Sequence, residues 1–452
     1  MLINFAVENF RSFGAEQTLN LVASKAQKGH EEHCVDIAET GERVLRTGVV
    51  YGANAAGKSN LVKAIEFAQA LIVHGAGPMK RIALNQFRFT KEESRPSSFE
   101  FRFMVMDQVF VYGFDVTAEE VKSEWLEATN DKGKEVEVFS RKGSEITIGD
   151  LKKFGESGAS SEEALKALNL LGTRPNQLLL SKIVDLDDER QGELLHRVVW
   201  WFTDCLTVIG PDTGFGPMLE YLDRDSGFRE FAAEFLLSVG TGIGDLRVEQ
   251  AEISAEKLPK PVVASLESMK DVEAVAVAFG PGMSLQLKPD DPSVVIRRNL
   301  ASEHMVDETA YPLSFADESD GTQRFLHLLP ALFHLQNRCN VYVIDELDRS
   351  LHPLLSHALL KFFVEVCPGA CQQLIVTTHE THLLDQDLLR RDEIWFAEKD
   401  EKQQTQLYSL VDMSVRKDLR VEKSYLQGRF GAIPFVGGTE KLKERVQCPT
   451  SN

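Results

Sequence analysis

The sequence predicts an α/β protein with a mainly parallel sheet core, an N-terminal β-rich lobe and a mostly helical insertion. Two apolar runs end in chemically special residues: Val49-Val50 leads into a glycine-rich turn, and Val341-Tyr342-Val343-Ile344 ends in Asp345-Glu346. A third, Leu374-Ile375-Val376, ends in Thr377-Thr378-His379. Short continuous apolar runs suit strands buried on both faces, as in parallel sheets. Behind the glycine turn, Leu61, Ala64, Ile65, Ala68, Leu71 and Ile72 recur at helical spacing. Strand, loop and helix therefore follow one another directly.

Each element can be placed in order. Leu2–Val7 is the expected first strand, and Val44–Tyr51 the strand before the glycine turn. Phe99–Phe103 and Val109–Phe114 look like a strand pair. From about Thr129 the texture changes: Asp131-Lys132-Gly133 reads as a turn and Glu156–Ser161 as a loop. Helical stretches follow at Glu162–Leu171, Gln191–Asp204 and Phe228–Val239, with Trp200, Trp201 and Phe202 expected in the core. Gly240–Gly244 is a break, Val272–Phe279 and Ser293–Arg298 resume strand character, and the α/β pattern returns from Ser314. The expected division is residues 1–126 for the first half of the core, 127–300 for a mostly helical insertion or lid returning to strands, and 301–452 for the second half. The middle lacks sustained heptads, so a compact insertion is expected and not a long coiled coil.

Composition narrows the class. The chain has 452 residues, 43% hydrophobic and 26% charged, enough for a large core and more than one domain. No apolar run is long enough to cross a bilayer, and the N-terminus has neither a basic n-region nor an apolar h-region. A cytoplasmic protein without membrane contact is expected. Six scattered cysteines show no framework spacing, which predicts reduced thiols. The net charge of −19 argues against a surface that coats nucleic acid. Any such contact would be local or would come through a partner.

The chemistry concentrates in two motifs. Gly52-Ala53-Asn54-Ala55-Ala56-Gly57-Lys58-Ser59 has the form G-x-x-x-x-G-K-[ST], with Asn60 following. Such a loop wraps backbone N–H groups around a β-phosphate at a helix N-terminus, where the helix adds positive potential. Lys58 would reach the β- and γ-phosphates of ATP, and the Ser59 hydroxyl would ligate Mg²⁺. The second motif is the Asp345-Glu346 pair at the end of its apolar run. Asp345 would hold Mg²⁺, mostly through its water shell, and Glu346 would orient or deprotonate an attacking water. Elsewhere, His30, His33 and Cys34 have a spacing that suits zinc. A fourth ligand is lacking nearby, and a polar loop is the preferred reading. His379 and His382 are spaced like a metal pair but lack a third ligand.

Taken together, these motifs resemble the ABC/SMC-like branch of P-loop ATPases. Val7-Glu8-Asn9-Phe10-Arg11-Ser12-Phe13 is similar to the opening of RecF-, SMC- and OLD-type ATPases. A narrower resemblance is to the bacterial AAA-family ATPases tied to abortive infection and restriction loci. It rests on the glycine loop through Asn60, on Glu318–Arg324, on Asp345-Glu346 through His352-Pro353, and on Tyr425–Pro434. It covers both α/β ends well and the middle poorly. The resemblance implies an ABC-type P-loop NTPase fold and Mg²⁺-dependent ATP hydrolysis in anti-phage defence.

The same resemblance implies further roles. Glu318-Ser319-Asp320-Gly321-Thr322-Gln323-Arg324 resembles the ABC signature, although Asp320 and Thr322 depart from the pattern. Ser319 and Gly321 would meet the γ-phosphate held by the other protomer of a homodimer or higher homo-oligomer. A plain helix N-cap is an equally good reading of Ser319. Leu347–Pro353 corresponds to the D-loop at the dimer interface, with His352 where an Asp is usual. His379 resembles the switch histidine that contacts the γ-phosphate, and Gln86 is a candidate metal-linking glutamine by position only. Arg324 and Arg429 would touch phosphate or a partner, or form ordinary salt bridges.

The leading functional expectation is a nucleotide-gated switch or sensor that controls a separate effector, a nuclease or a toxin. The alternatives are a RecF/SMC-like DNA-repair ATPase and a non-catalytic ATP-bound scaffold that sequesters a toxin. OLD-type nucleases carry a metal-dependent nuclease domain after the ATPase. Too few residues follow His379 to hold one, and they contain no carboxylate cluster, so no nuclease is expected in this chain.

Overall fold

A computed structural model describes residues 1–77, 80–90, 95–130, 132–211, 216–267, 277–278, 280, 282–288, 290–307, 309–333, 339–366, 371–413 and 421–432. The chain divides into two compact units, one made of Met1–Asp204 and Ile375–Asn452, the other of Cys205–Leu374. The division falls inside strand Gln373–Thr378. The fold is α/β and carries a P-loop, with parallel strand pairs and two large antiparallel sheets.

The first unit holds a seven-stranded antiparallel sheet in the order Glu145–Ile148, Glu135–Lys142, Val121–Thr129, Gln108–Val116, Ser97–Val105, Leu2–Glu8, Gln17–Asn20. Alternation builds it: Leu2–Glu8 buries Phe5 and Val7 and leaves Ala6 and Glu8 half-exposed. Phe5, Phe99, Phe101, Phe103 and Phe110 form its aromatic core, and Trp201 stacks on Phe103 with ring centroids 4.2 Å apart. Trp201 and Phe202 are fully buried, as expected, whereas Trp200 is half-buried.

In the same unit, Thr47–Tyr51 runs parallel to Ile394–Lys399, with Val49 opposite Ile394, and Thr405–Ser409 pairs antiparallel to the latter. All five residues of Thr47–Tyr51 are buried. The helix Lys58–His74 buries Leu61, Ala64, Ile65, Ala68, Leu71 and Ile72, the residues whose spacing predicts it.

The second unit contains a parallel pair, Leu206–Ile209 with Val341–Ile344, and an antiparallel sheet. In that sheet Ile243–Ser254 pairs along its length with Asp291–Val306, which also pairs with Met283–Lys288 and Thr309–Ser314. Helices Ser226–Ser238, Asp320–Leu328 and Pro353–Val366 complete the unit's main elements. Asp225 caps the first of these by accepting from the Phe228 N–H at 2.9 Å.

The two units divide after Asp204 and after Leu374. Helices from Gly155–Leu171 to Ser226–Ser238 fill much of the middle, which returns to strands at Ile243–Ser254, and Glu135–Lys142 and Glu145–Ile148 add two strands to the first sheet. Glu156–Ser161 is not a loop but part of helix Gly155–Leu171. Its small residues form a packing face: a Cβ on Gly192 would lie 2.5 Å from the Ser161 Cα, and the buried Ser161 hydroxyl accepts from Leu194 N–H at 3.1 Å. Of the expected strand 272–279 only Val277–Ala278 is described, and it is a strand; the rest lies outside the described residues, as do the last two residues of the Tyr425–Pro434 motif.

The reduced-thiol expectation fails for one pair. Cys339 and Cys371 form a disulfide with Cα atoms 4.8 Å apart. They precede Val341–Ile344 and Gln373–Thr378, and Gln373 N–H donates to the Asn340 carbonyl at 2.9 Å, which brings the two lead-in segments side by side. Cys34 and Cys205 are buried and outside any disulfide, and burial pushes the Cys34 thiol up to about 11. Among the described residues no helix is long and apolar enough to cross a membrane.

Candidate functional site

The glycine-rich turn occupies the gap between strand Thr47–Tyr51 and helix Lys58–His74. Ala55 and Gly57 both take left-handed backbone, at φ 65° and 113°. Alternating handedness of this kind turns successive N–H groups to one side, the geometry of an anion-binding nest. Asn54 and Ala55 are exposed at the tip, Ala56, Gly57 and Lys58 are buried, and Ser59 and Asn60 are half-buried.

Both glycines are required by packing as well as by phosphate approach. A Cβ on Gly52 would lie 2.5 Å from the Ala397 carbonyl oxygen and 3.2 Å from the Ala56 Cβ. A Cβ on Gly57 would collide with the Thr405 side chain. Thr405 is a residue that sequence reasoning missed. Its hydroxyl donates to the Ala56 carbonyl at 2.8 Å and lies 2.8 Å from the Ser12 hydroxyl. Asn60, read as nucleotide-binding, donates its side-chain amide to that same Ser12 hydroxyl at 2.8 Å. The side chain of Asn60 thus ties the loop's helix to the Val7–Phe13 motif.

Lys58 is buried, and its amine donates to the Gly52 carbonyl at 2.7 Å and the Ala53 carbonyl at 3.2 Å. His379, exposed just beyond strand Gln373–Thr378, places its ring nitrogens 3.2 and 3.3 Å from the same amine. Two residues 321 positions apart in the chain thus meet at one point of the first unit. His382 is solvent-exposed and faces Glu380 and Glu422. Gln86 donates its amide to the Arg95 carbonyl at 2.7 Å, and no contact with the loop or with His379 is present for its side chain among the described residues.

The second unit carries the acidic pair and the signature-like segment. Asp345 is buried at the end of strand Val341–Ile344, with its N–H donating to the Ile209 carbonyl at 2.9 Å. Glu346 is half-buried and takes φ 52°. A left-handed non-glycine residue is uncommon and is found where surrounding structure over-determines it, often at functional sites. Ser319 caps helix Asp320–Leu328, its hydroxyl accepting from the Thr322 N–H at 3.2 Å. The N-cap reading of Ser319 is therefore realised. Gly321 is packed so that a Cβ would lie 2.6 Å from the Ser350 carbonyl oxygen, which brings the signature-like turn against the loop after the acidic pair. His352 stands in for Asp by capping helix Pro353–Val366, with Nδ1 accepting from the Leu354 N–H at 3.2 Å.

Arg324 is buried in the second unit. Its guanidinium donates to the Gly210 carbonyl at 2.9 Å and the Asp345 carbonyl at 2.8 Å. It joins the signature-like helix to the ends of both parallel strands of its unit. A cleft of about 270 Å³ opens here, lined by Asp320, Arg324, His327, Arg349 and Ser350 among others. Burial, with the Arg324 charge beside it, pushes His327 down to about 4. Arg429 contributes its backbone N–H to the Ser424 carbonyl at 3.0 Å.

Within the first unit the Ser59 hydroxyl, and within the second the Asp345 carboxylate, are hard oxygen donors of the kind that suits Mg²⁺.

Comparison with known proteins adds the following. No curated protein matches the chain. Among solved structures, the chain is similar to the SMC head domain from Thermotoga maritima, at 10% identity over 90% of this chain and 98% of that one, with a TM-score of 0.36. It is also similar to the recombination mediator protein RecF, at 13% identity over 90% and 98%, with a TM-score of 0.31. A third likeness is to an Smc head domain with an extended coiled coil, derived from Pyrococcus furiosus, at 12% identity over 95% and 98%, with a TM-score of 0.29. The family model described as "AAA domain, putative AbiEii toxin, Type IV TA system" matches residues 49–385, which run from the strand before the phosphate loop to beyond His379. The chain belongs to that AAA-domain family of P-loop ATPases.

Proposed function

We propose that this chain binds and hydrolyses ATP and works as a nucleotide-gated switch in anti-phage defence of the abortive-infection type, controlling a separate effector. The observation that carries the reading is the meeting of Lys58 and His379 at a left-handed glycine loop. A cationic amine and a switch-position imidazole at the mouth of a nest suit a γ-phosphate better than any other common ligand. The family description, which names an AAA domain and a toxin of a toxin–antitoxin system, supports the defence setting.

In this mechanism the loop N–H groups and Lys58 bind the phosphates and offset their charge. Ser59 and Asp345 are the residues that would hold Mg²⁺, which when bound neutralises charge on the β- and γ-oxygens. Glu346 orients the attacking water and takes its proton. His379 contacts the γ-phosphate. Ser319 and Gly321 complete the phosphate site of a second protomer, so closure of a homodimer follows ATP binding. Gln86 remains a candidate for linking the metal to the lobe that carries it.

The test is hydrolysis and co-purification with wild type, Lys58→Ala and Glu346→Gln. Lys58→Ala is expected to abolish nucleotide binding. Glu346→Gln is expected to bind ATP but lose about 100-fold or more in turnover, and to trap the dimer. A nuclease or toxin that co-purifies in an ATP-dependent way supports the switch. DNA alone, with DNA-stimulated turnover, would replace it with a repair role. Full function of Glu346→Gln alongside loss in Lys58→Ala would point to a non-catalytic scaffold.

A further inference from the structure

At the start of strand Thr47–Tyr51, away from the phosphate loop at its end, three side chains converge. His30, Glu32 and His33 can each place one donor atom within 4.8 Å of the others. His30 Nδ1 lies 3.5 Å from Glu32 Oε1, and His33 Nε2 lies 3.8 Å from the same oxygen. A tetrahedral ion with bonds of about 2.0–2.1 Å separates its ligand atoms by about 3.3–3.4 Å. The two distances to the Glu32 oxygen are within about half an ångström of that, and all three donor atoms lie within 4.8 Å of one another.

The far side of each ring is already committed. His33 is buried, and its Nδ1 stands 3.0 and 3.1 Å from the two oxygens of the buried Glu393 carboxylate. Glu393 Oε2 also accepts the Arg390 N–H at 2.7 Å, which leaves the carboxylate as acceptor and His33 Nδ1 as donor. His30 Nε2 is 3.2 Å from the Gln386 carbonyl, which can only accept. In a neutral imidazole that donates on its far side, the nitrogen left with a lone pair, His33 Nε2 or His30 Nδ1, is the one turned toward Glu32. Metal-binding histidines are oriented in this way, by a carboxylate or a backbone carbonyl on the opposite nitrogen. His30 also holds left-handed backbone at φ 50°, which brings its ring over that of His33 with centroids 4.8 Å apart.

We infer that His30, Glu32 and His33 form a binding site for a zinc-class divalent ion. Two imidazoles and one carboxylate favour Zn²⁺ and its first-row neighbours over Mg²⁺ and Ca²⁺, which take oxygen donors. The expectation of a polar loop is thereby replaced, and so is the ligand set: Cys34 is not among the converging donors, and Glu32 is. Glu32 and His30 are partly exposed, so a fourth position opens to water. The His33 carbonyl accepts the Arg46 N–H at 2.8 Å, and Glu393 immediately precedes strand Ile394–Lys399. An ion here clamps the segments that enter both strands flanking the phosphate loop. Five residues of strand, about 17 Å, separate it from the loop, so it is distinct from the nucleotide's Mg²⁺.

The full-length protein, stripped with a chelator and free of nucleotide, is titrated with Co²⁺ and followed by visible absorption. Zn²⁺ is then competed against a chromophoric chelator. The expected result is one equivalent per chain, the strong absorption of tetrahedral cobalt, and a raised thermal midpoint with Zn²⁺. His30→Ala and Glu32→Gln, both at partly exposed positions, each weaken Zn²⁺ binding at least 10-fold while leaving the metal-free midpoint within a degree or so. His33→Ala is avoided because it strands the buried Glu393. Substoichiometric binding, or an affinity unchanged in both variants, overturns the assignment.

Discussion

The two units of this protein hold their candidate site residues by different means. In the first, the phosphate loop is shaped by close contacts that leave no room for a methyl group: Gly52 against the Ala397 carbonyl, Gly57 against the Thr405 side chain. In the second, the acidic strand end is held by side chains. Arg324 bonds the carbonyls of Gly210 and Asp345, Ser319 caps its helix, and His352 caps the next. Close backbone packing enters there at Gly321 against Ser350. A steric cradle has no intermediate states and fails on a single added carbon. A polar clamp fails by increments, one hydrogen bond at a time. The same comparison says which half tolerates sequence change, and it can be attacked from either side.

The largest effect is expected at the cradle. Gly57→Ala places a Cβ on a residue at φ 113° and drives it into Thr405. Left-handed backbone costs a non-glycine residue about 1–2 kcal/mol, and overpacking adds about 1–3 kcal/mol. A loss of about 3 kcal/mol in urea unfolding is expected, with loss of nucleotide binding. The same substitution in a Thr405→Gly background removes the colliding atoms and leaves only the backbone penalty. A double-mutant cycle should therefore return a coupling of about 1–2 kcal/mol. Additive effects would show that the loop is not shaped by this contact.

The clamp comes next. Arg324→Ala deprives the Gly210 and Asp345 carbonyls of a charged donor, and such bonds are worth about 1.5–3 kcal/mol each, less what water recovers. A destabilisation of about 2–3 kcal/mol is expected, with a several-fold fall in hydrolysis as Asp345 loses its anchor. Arg324→Lys should recover part of the stability, because an ammonium replaces one bond but not the fork. If Arg324→Ala matches wild type in both unfolding and turnover, the second unit does not depend on this clamp.

How much of this was readable in the chain differs in the same way. The phosphate loop is legible because all its information is local: a strand, two glycines at fixed spacing, a lysine and a helix within about twenty residues. The Asp345-Glu346 strand is legible for the same reason. Thr405 carries no local signal, since its role exists only once strand Thr405–Ser409 pairs beside Ile394–Lys399. Glu32 carries no local signal, and the Glu393 carboxylate that holds the His33 ring lies 360 residues away. Strands Glu135–Lys142 and Ile243–Ser254 are not legible in the sequence because they hide their period. Ile243–Ser254 is half- to fully exposed at most positions, and Glu135–Lys142 mixes charges with valines at a sheet margin. Alternation reports a strand only when one face is apolar.

The smallest expected effect is a pH dependence confined to the second unit. His327 is held at about 4 by burial and by the neighbouring Arg324, against 6.5 for the unfolded chain. Between those values the unfolded state binds more protons than the folded state, so stability rises with pH. It is fully present above about 6.5 and is lost as pH falls toward 4. Between pH 7.5 and 5.5 the loss from this residue is about 1–2 kcal/mol. His327→Gln should flatten the urea-midpoint profile over that range while leaving the profile above pH 7.5 unchanged in shape. Arg324→Ala removes one of the two causes and should raise the folded-state value toward 6.5, so the step levels off at a higher pH and its total size shrinks, and the clamp and the histidine report on each other. An identical slope in wild type and His327→Gln would place the titrating group elsewhere and remove the histidine from the comparison.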